Sequence, residues 1–498
     1  MTTAKYALFG EGSPQSGWPR MPAVAGERMI ATSHPLATMA GLRAFRRGGN
    51  AVDAALAAAA VLTVAEPSDN GPGGDAFAIV WRDGELVGLN GSGRSPAVLD
   101  SGRVDESGPR SVTVPGAVRA WADLAERFGR LGLDEVLAPA ADLAAGGVAC
   151  TARIADRWAR AESPPWPAPG IGGRYVLDDL ACTLRGIAEN GPESFYAGKV
   201  AQAIASCCWL SEADLAAHRS EWVVPLRRSY RGVEVCELPP NGQGAAALLA
   251  LALYEELEPG LHSQIEAMKL ALSDTRAVVH DGALPGDFLD AGRIAARRAL
   301  VRADGVCDPP GYALPRGGTT YLCAVDGDGL AVSLIQSIFH RFGSGVVAPG
   351  TGVVLQNRAA GFSADPTHLN ALRPAVRPFH TIIPGMLLDG DGLVGPFGVM
   401  GGPMQPQGHF QVVSHTVDGG LDPQAALDSP RFRCVEGRVV ELEPGLWGEA
   451  DRLRALGHDV RFPENQHEFG VGQMIIRSAG GVLYGGSDPR GDGFAAGI

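Results

Sequence analysis

The chain has 498 residues, 45% of them hydrophobic and 19% charged, with a net charge of −13. That composition builds a large buried core and carries no basic run, which argues against disordered, fibrous and nucleic-acid-binding classes. Apolar stretches such as 54–65 are alanine-rich and too short to cross a bilayer, so a soluble, cytoplasmic protein with no membrane partner is expected.

Residues 1–28 are rich in glycine and proline and read as an irregular lead-in to a short strand at 29–32. A helix follows from His34 to Arg47, stopped by Gly48-Gly49, and Asn50 caps a second helix reaching Ala65. The alanine density of that second helix suits close packing, so it is expected to be buried. Gly71-Pro72-Gly73-Gly74-Asp75 lacks the order and the lysine of a phosphate loop. It reads instead as a tight turn of backbone on backbone before a strand at 76–81.

Val118, Trp121, Leu124 and Phe128 recur at helical spacing as ordinary core. Further helices are expected at 138–145, 200–205, 245–257 and 266–280, with a breaker cluster at 238–244. The stretch 301–318 is irregular and suits a processing site. From Thr319 the pattern turns to strands at 319–325, 330–338, 353–356, 380–388, 395–400, 439–442, 473–477 and 481–484, with one helix at 407–417. Helices first and strands later, without βαβ alternation, point to stacked layers of one body. The eight cysteines show no CxxC pair or Cys/His ligand spacing, so free, buried thiols are expected, with no structural zinc, other metal or cofactor.

Residues 315–325 carry the chemistry: Pro-Arg-Gly-Gly-Thr-Thr-Tyr and a continuing strand, then a turn at Asp326-Gly327-Asp328-Gly329. Tyr321, Cys323 and Val325 alternate onto one face, and Leu330, Val332 and Leu334 repeat the period beyond the turn, which predicts a β-hairpin. A threonine placed after two flexible glycines at a strand head suits self-cleavage. Cutting before Thr319 would free an α-amine beside its own hydroxyl, and an amine of pKa about 7.7 is a useful base near neutral pH. Threonine activated by its own N-terminal amine is a known nucleophile.

The chain resembles the γ-glutamyltransferase family in an ordered series of motifs. These are Gly48-Gly49-Asn50-Ala51-Val52-Asp53-Ala54, Gly73-Gly74, Val114-Pro115-Gly116, Thr319-Thr320, Asp326-Gly327-Asp328-Gly329, Phe342-Gly343-Ser344-Gly345, Gly401-Gly402 and Gly486-Ser487-Asp488-Pro489-Arg490. The resemblance implies an α+β fold, a four-layer αββα sandwich of the N-terminal nucleophile hydrolase type. It also implies cleavage between Gly318 and Thr319. The products would be a helix-rich large subunit, 1–318, and a strand-rich small subunit, 319–498, held together as an α/β heterodimer, with a dimer of heterodimers left open. Thr319 would then be the nucleophile, Ser337 a hydroxyl bonded to it, and Gly401 and Gly402 the oxyanion-binding glycines.

The pattern also departs from the family. Residues 93–101 include Arg94 but have no arginine at the position aligned with the one that holds a glutamyl carboxylate in the family, and Arg103 falls two positions late. His380-Thr381 replaces a Ser-Ser pair, Phe339 an asparagine, Arg358 a glutamine and Gly361 an aspartate. Losing the acid removes the partner of a substrate ammonium, whereas Arg358 adds a fork that fits a carboxylate. The expected substrate is therefore a small, anionic amide of the oxamate type, as in the branch of oxamate amidohydrolase and cephalosporin-acylase-like proteins. Arg358, His380, Thr381, Phe339 and Arg341 are its expected contacts, with His340 and His409 as weaker candidates. The alternatives are γ-glutamyl hydrolysis or transfer on glutathione-like donors, C–C bond hydrolysis in a biosynthetic pathway, and an unprocessed non-catalytic homologue.

Overall fold

Every residue of the strands Gly318–Val325 and Ala331–Phe339 is buried, so this hairpin must be covered on both faces. On one side Tyr321, Cys323, Val325 and Ile335 meet Met386, Leu388 and Ile475 of a second sheet. On the other, Leu322, Ala324, Val332 and Leu334 pack on the helix Ala51–Ala65 and its neighbours. Full burial of one such leucine is worth about 1.5–3 kcal/mol, so period-two alternation fixes the register of the central strands. The computed structural model describes residues 20–99, 103–309, 317–390, 392–464 and 466–498. Residues 1–19 of the lead-in and 310–316 of the processing stretch lie outside them.

Two seven-stranded antiparallel sheets lie face to face. The first runs Phe494–Gly497, Met29–Thr32, Gly318–Val325, Ala331–Phe339, Asp75–Arg82, Glu85–Asn90, Glu221–Val223. The second runs Ala23–Ala25, Leu483–Ser487, Val471–Arg477, Gly392–Met400, Gly385–Asp389, Val233–Glu237, Leu226–Tyr230. The helices Gly244–Tyr254, Leu261–Val278 and Met404–Val417 cover the outer face of the second sheet through Leu249, Leu270, Phe410 and Phe397. The architecture is the expected αββα sandwich. Both sheets interleave strands from before and after Thr319, so the two segments share one core although most helices precede the hairpin.

Local chemistry sets the elements that surround the site. Asn50 Oδ1 accepts from Val52 N and Asp53 N while Asp53 Oδ2 accepts from Asn50 N, a reciprocal cap that starts the buried helix. Asp326 closes the hairpin turn by accepting from Asp328 N and Leu330 N, and its other oxygen accepts from Ala51 N at 3.0 Å. The 71–75 turn is the expected backbone-on-backbone contact. A Cβ at Gly73 would lie 2.1 Å from Val354 O and one at Gly74 2.3 Å from Ser337 O.

Several boundaries differ from the sequence pattern. The lead-in contains the strand Ala23–Ala25, and the strand expected at 353–356 keeps only Val353–Val354. The strand expected at 380–388 begins at Gly385, because Pro384 has no N–H and the Ile383 N–H is taken by Gln405 Oε1 at 3.0 Å. The helix expected from 407 starts at Met404, and the strand expected at 481–484 occupies Leu483–Ser487. All eight cysteines are free; Cys323 lies in the inter-sheet core, whereas Cys182 is exposed. Among the described residues no helix is long and apolar enough to cross a membrane.

Candidate active site

Gly318 pairs with Phe339 and Thr320 with Gln336, so Thr319 alone on its strand faces two residues, Ser337 and Ile338. A bulge of this kind bends a strand and re-aims a side chain. Thr319 is only 3% exposed. Its hydroxyl donates to Gly318 O at 2.7 Å and lies 3.4 Å from both Ser337 Oγ and Gln405 Nε2. Ser337 Oγ donates to Gly318 O at 2.6 Å and accepts from Phe339 N at 2.8 Å and Arg358 Nη2 at 3.2 Å. A hydroxyl therefore polarises the Gly318 carbonyl, and a second hydroxyl sits beside it.

Gly401 (φ +130) and Gly402 (φ +57) stand at the end of the Gly392–Met400 strand in backbone conformations that favour glycine. A Cβ on Gly402 would lie 3.1 Å from Gly317 N, so this turn rests directly on the residue before Gly318. Among the described residues, no acceptor takes the N–H of either glycine. Gln243 Nε2 donates to Gly402 O at 2.9 Å and to Thr381 O at 2.6 Å, tying the glycine turn to the 380–383 stretch.

Arg358 is fully buried in the short turn Arg358–Gly361. Its Nη1 donates to Thr381 Oγ1 at 2.8 Å, its guanidinium lies 4.1 Å from the centre of the Phe339 ring, and its Nε has no partner. Phe339 holds a positive φ of 75°, a strained conformation for a side chain of that size. Among the described residues no carboxylate lies within ion-pair distance of Arg358. Burial pushes its guanidinium down to about 9, against the pull of Asp75, so it remains a cation at neutral pH. His340, whose ring lies 4.4 Å from that of Phe339, is held down to about 4 by burial and by Arg358 and is neutral; its Nε2 has no partner.

The other expected contacts fall differently. The His380 ring is spent on Asp75, Nε2 to Oδ2 at 3.0 Å, and is fully buried. Asp75 Oδ1 also takes the N–H groups of Gly93 and Gly116, so His380 braces the loops behind Thr381 and does not face Thr319. His409 bonds Glu237 Oε1 at 2.6 Å, within the second sheet and its helix layer. Arg341 is half-buried and makes no hydrogen bond to Thr319, Ser337 or Arg358 among the described residues. Arg94 pairs with Glu221 and Asp281, and Arg103 with Asp105, so neither replaces the family's arginine. Sequence reasoning missed Gln405 and Gln243. The signal for Gln405 was its place in the first turn after the glycine pair.

Away from this site, ligand atoms of His262, Glu266 and His458 gather within 4.8 Å of one another. Lys269 Nζ, itself fully buried, lies 2.7 Å from Glu266 Oε1, so an ammonium already supplies the positive charge there.

A threonine on a strand-head bulge inside an αββα sandwich defines the N-terminal nucleophile hydrolase class. The sequence profile of the gamma-glutamyltranspeptidase family matches residues 37–498. The chain is 36% identical to a glutathione hydrolase-like YwrD proenzyme of Bacillus subtilis, over 95% of this chain and 99% of that one. It is 34% identical to the oxamate amidohydrolase proenzyme of Klebsiella pneumoniae, over the same shares. A crystal structure of cephalosporin acylase from Bacillus halodurans superposes with a TM-score of 0.90 at 42% identity, covering 98% of this chain and 99% of that one. The chain belongs to the gamma-glutamyltranspeptidase family and is an enzyme of the amide hydrolase and acyltransferase kind.

Proposed function

We propose that the chain cuts itself between Gly318 and Thr319, and that Thr319 then hydrolyses small amides whose acyl group carries a carboxylate, of the oxamate type. In self-cleavage the Thr319 Oγ–Gly318 carbon bond forms, the Gly318–Thr319 C–N bond breaks, and the hydroxyl proton ends on the nitrogen. Water then opens the ester, leaving a Gly318 carboxylate, the Thr319 hydroxyl and a free α-amine. The Ser337 hydroxyl at 2.6 Å from Gly318 O supports this reading, because it withdraws electrons from the carbonyl under attack.

In turnover the new amine takes the Thr319 proton, Oγ bonds the substrate carbonyl, and the protonated nitrogen leaves as ammonia or an amine. Water resolves the acyl-enzyme and releases the acid. The unclaimed N–H groups of Gly401 and Gly402 are suited to the tetrahedral oxyanion, and one such donor is typically worth about 3–4 kcal/mol. Gln405 Nε2 orients the Thr319 hydroxyl and Thr381 orients Arg358. The two segments stay associated through their shared sheets, as a heterodimer.

The single observation that carries the substrate class is the buried Arg358 guanidinium, which pairs with no carboxylate among the described residues and is joined to Thr319 through Ser337. Such a cation is costly unless an anion arrives to pair with it. The proenzyme names of the relatives and the oxamate amidohydrolase among them support the same reading. Incubating the purified protein with oxamate, glutathione and γ-glutamyl anilides and identifying the released acid tests it. Oxalate from oxamate is expected, and release of glutamate alone contradicts the substrate assignment.

A further inference from the structure

A carboxylate also fills the space that a side chain on the residue whose bond is to be cut would need. A Cβ on Gly318 would lie 2.7 Å from Asp69 Oδ1 and 3.3 Å from Asp69 Cα, so only glycine fits between this side chain and the bulge. Asp69 is 3% exposed, and its Oδ2 accepts from Arg157 Nη1 at 2.9 Å and from Ser68 Oγ at 2.8 Å. The backbone of the same turn grips the opposite strand. Asp69 O accepts from Ile338 N at 3.3 Å and Ser68 O from Phe342 N at 2.8 Å. One turn therefore closes off the Cβ side of the scissile residue and holds the strand end that carries Ser337 and Phe339. Arg157 is buried and lies 3.8 Å from Glu66 Oε1 as well, so Asp69 is fixed by charge and not by shape alone.

We propose that Asp69, set by Arg157 and Ser68, is a positioning residue for self-cleavage. It fills the space beside Gly318 and keeps the scissile carbonyl on the Ser337 hydroxyl, in reach of Thr319 Oγ. Misplacing reacting atoms by about 1 Å costs on the order of 100-fold in rate, so a contact this close to the bond is worth that much. The inference rests on the reading that the 318–319 bond is the one cut. It adds that the carboxylate at 69, outside the nucleophile's hydrogen-bond circle, governs how fast the cut occurs.

The test follows freshly purified full-length chain by denaturing gel and intact mass. Asp69→Asn keeps the shape and removes the charge. It is expected to slow the appearance of the Thr319 fragment at least about tenfold, with turnover per cleaved molecule falling far less. In Asp69→Gly, added formate is expected to restore part of the cleavage rate, a rescue that a purely structural role does not give. An unchanged cleavage rate in Asp69→Asn, equal losses in cleavage and turnover, or no formate rescue overturns the proposal. Should Asp69→Asn fail to fold, Ser68→Ala removes one donor to Asp69 and is expected to slow cleavage about threefold; an unchanged rate there overturns it too. A wild-type chain that never yields a fragment beginning at Thr319 refutes the cleavage reading instead, so the two failures are told apart.

Discussion

Replacing Arg358 by glutamine separates a binding role from a structural one, because the two predict opposite signs. The guanidinium is fully buried, and among the described residues it bonds two hydroxyls and one ring face and has no acid within ion-pair distance. As a structural element it is a poor one: an unpaired buried charge costs several kcal/mol, against about 0.5–2 kcal/mol returned by the ring contact. Arg358→Gln is therefore expected to leave the melting temperature unchanged or raise it by a few degrees. As an anion receptor it is strong, since truncating one partner of a buried, hydrogen-bonded charge pair costs about 2–5 kcal/mol. That is a fall of roughly 30- to 5,000-fold in kcat/KM for an amide bearing a carboxylate. Steady-state release of ammonia from oxamate, set against an uncharged amide of similar size, gives the comparison, with thermal melts alongside. Loss of stability with equal loss on both amides would refute the reasoning.

Ser337→Ala removes the donor to Gly318 O and is expected to slow self-cleavage by about 10- to 100-fold, seen as persistent full-length chain in a gel time course. Gly402→Ala forces a side chain into φ +57 with its Cβ 3.1 Å from Gly317 N. The variant is expected to lose about 100-fold or more in kcat while KM changes little, because the oxyanion donor moves and the carboxylate site does not. Burial raises the Glu66 carboxyl from 4.5 to about 7, so the folded chain binds more protons than the unfolded one between those values. Its contribution is fully present below pH 4.5 and is lost as pH rises to about 7, by up to about 3 kcal/mol. Glu66→Gln is expected to flatten that part of the melting-temperature profile; an identical profile contradicts the assignment.

The Thr319 strand was legible because its signals are local. Two glycines, two threonines, period-two alternation and an Asp-Gly turn specify a hairpin, and the family resemblance carried by the ordered motifs implies the layers around it. Arg358 was legible as a departure from a pattern, but its lack of an ion-paired carboxylate among the described residues was not, since that depends on what the fold does not bring near. The residues 380–388 show where local reading fails. His380, Thr381, Ile382 and Ile383 carry a β-like composition, yet Pro384 and the Gln405 side chain divert the backbone from the sheet. That detour brings the Thr381 hydroxyl to Arg358 and turns the His380 ring onto Asp75. Gln243, Gln405 and Asp69 reach the site from three separate stretches, and no spacing in the sequence joins them to Thr319.

Intact-mass analysis with N-terminal sequencing of the purified protein tests the central claim most directly. Two co-purifying chains are expected, residues up to 318 and 319–498, the second beginning Thr-Thr-Tyr-Leu, and a single uncut chain for Thr319→Ala with no turnover. An active wild-type protein that remains one chain, or Thr319→Ala that still turns over amide, contradicts it.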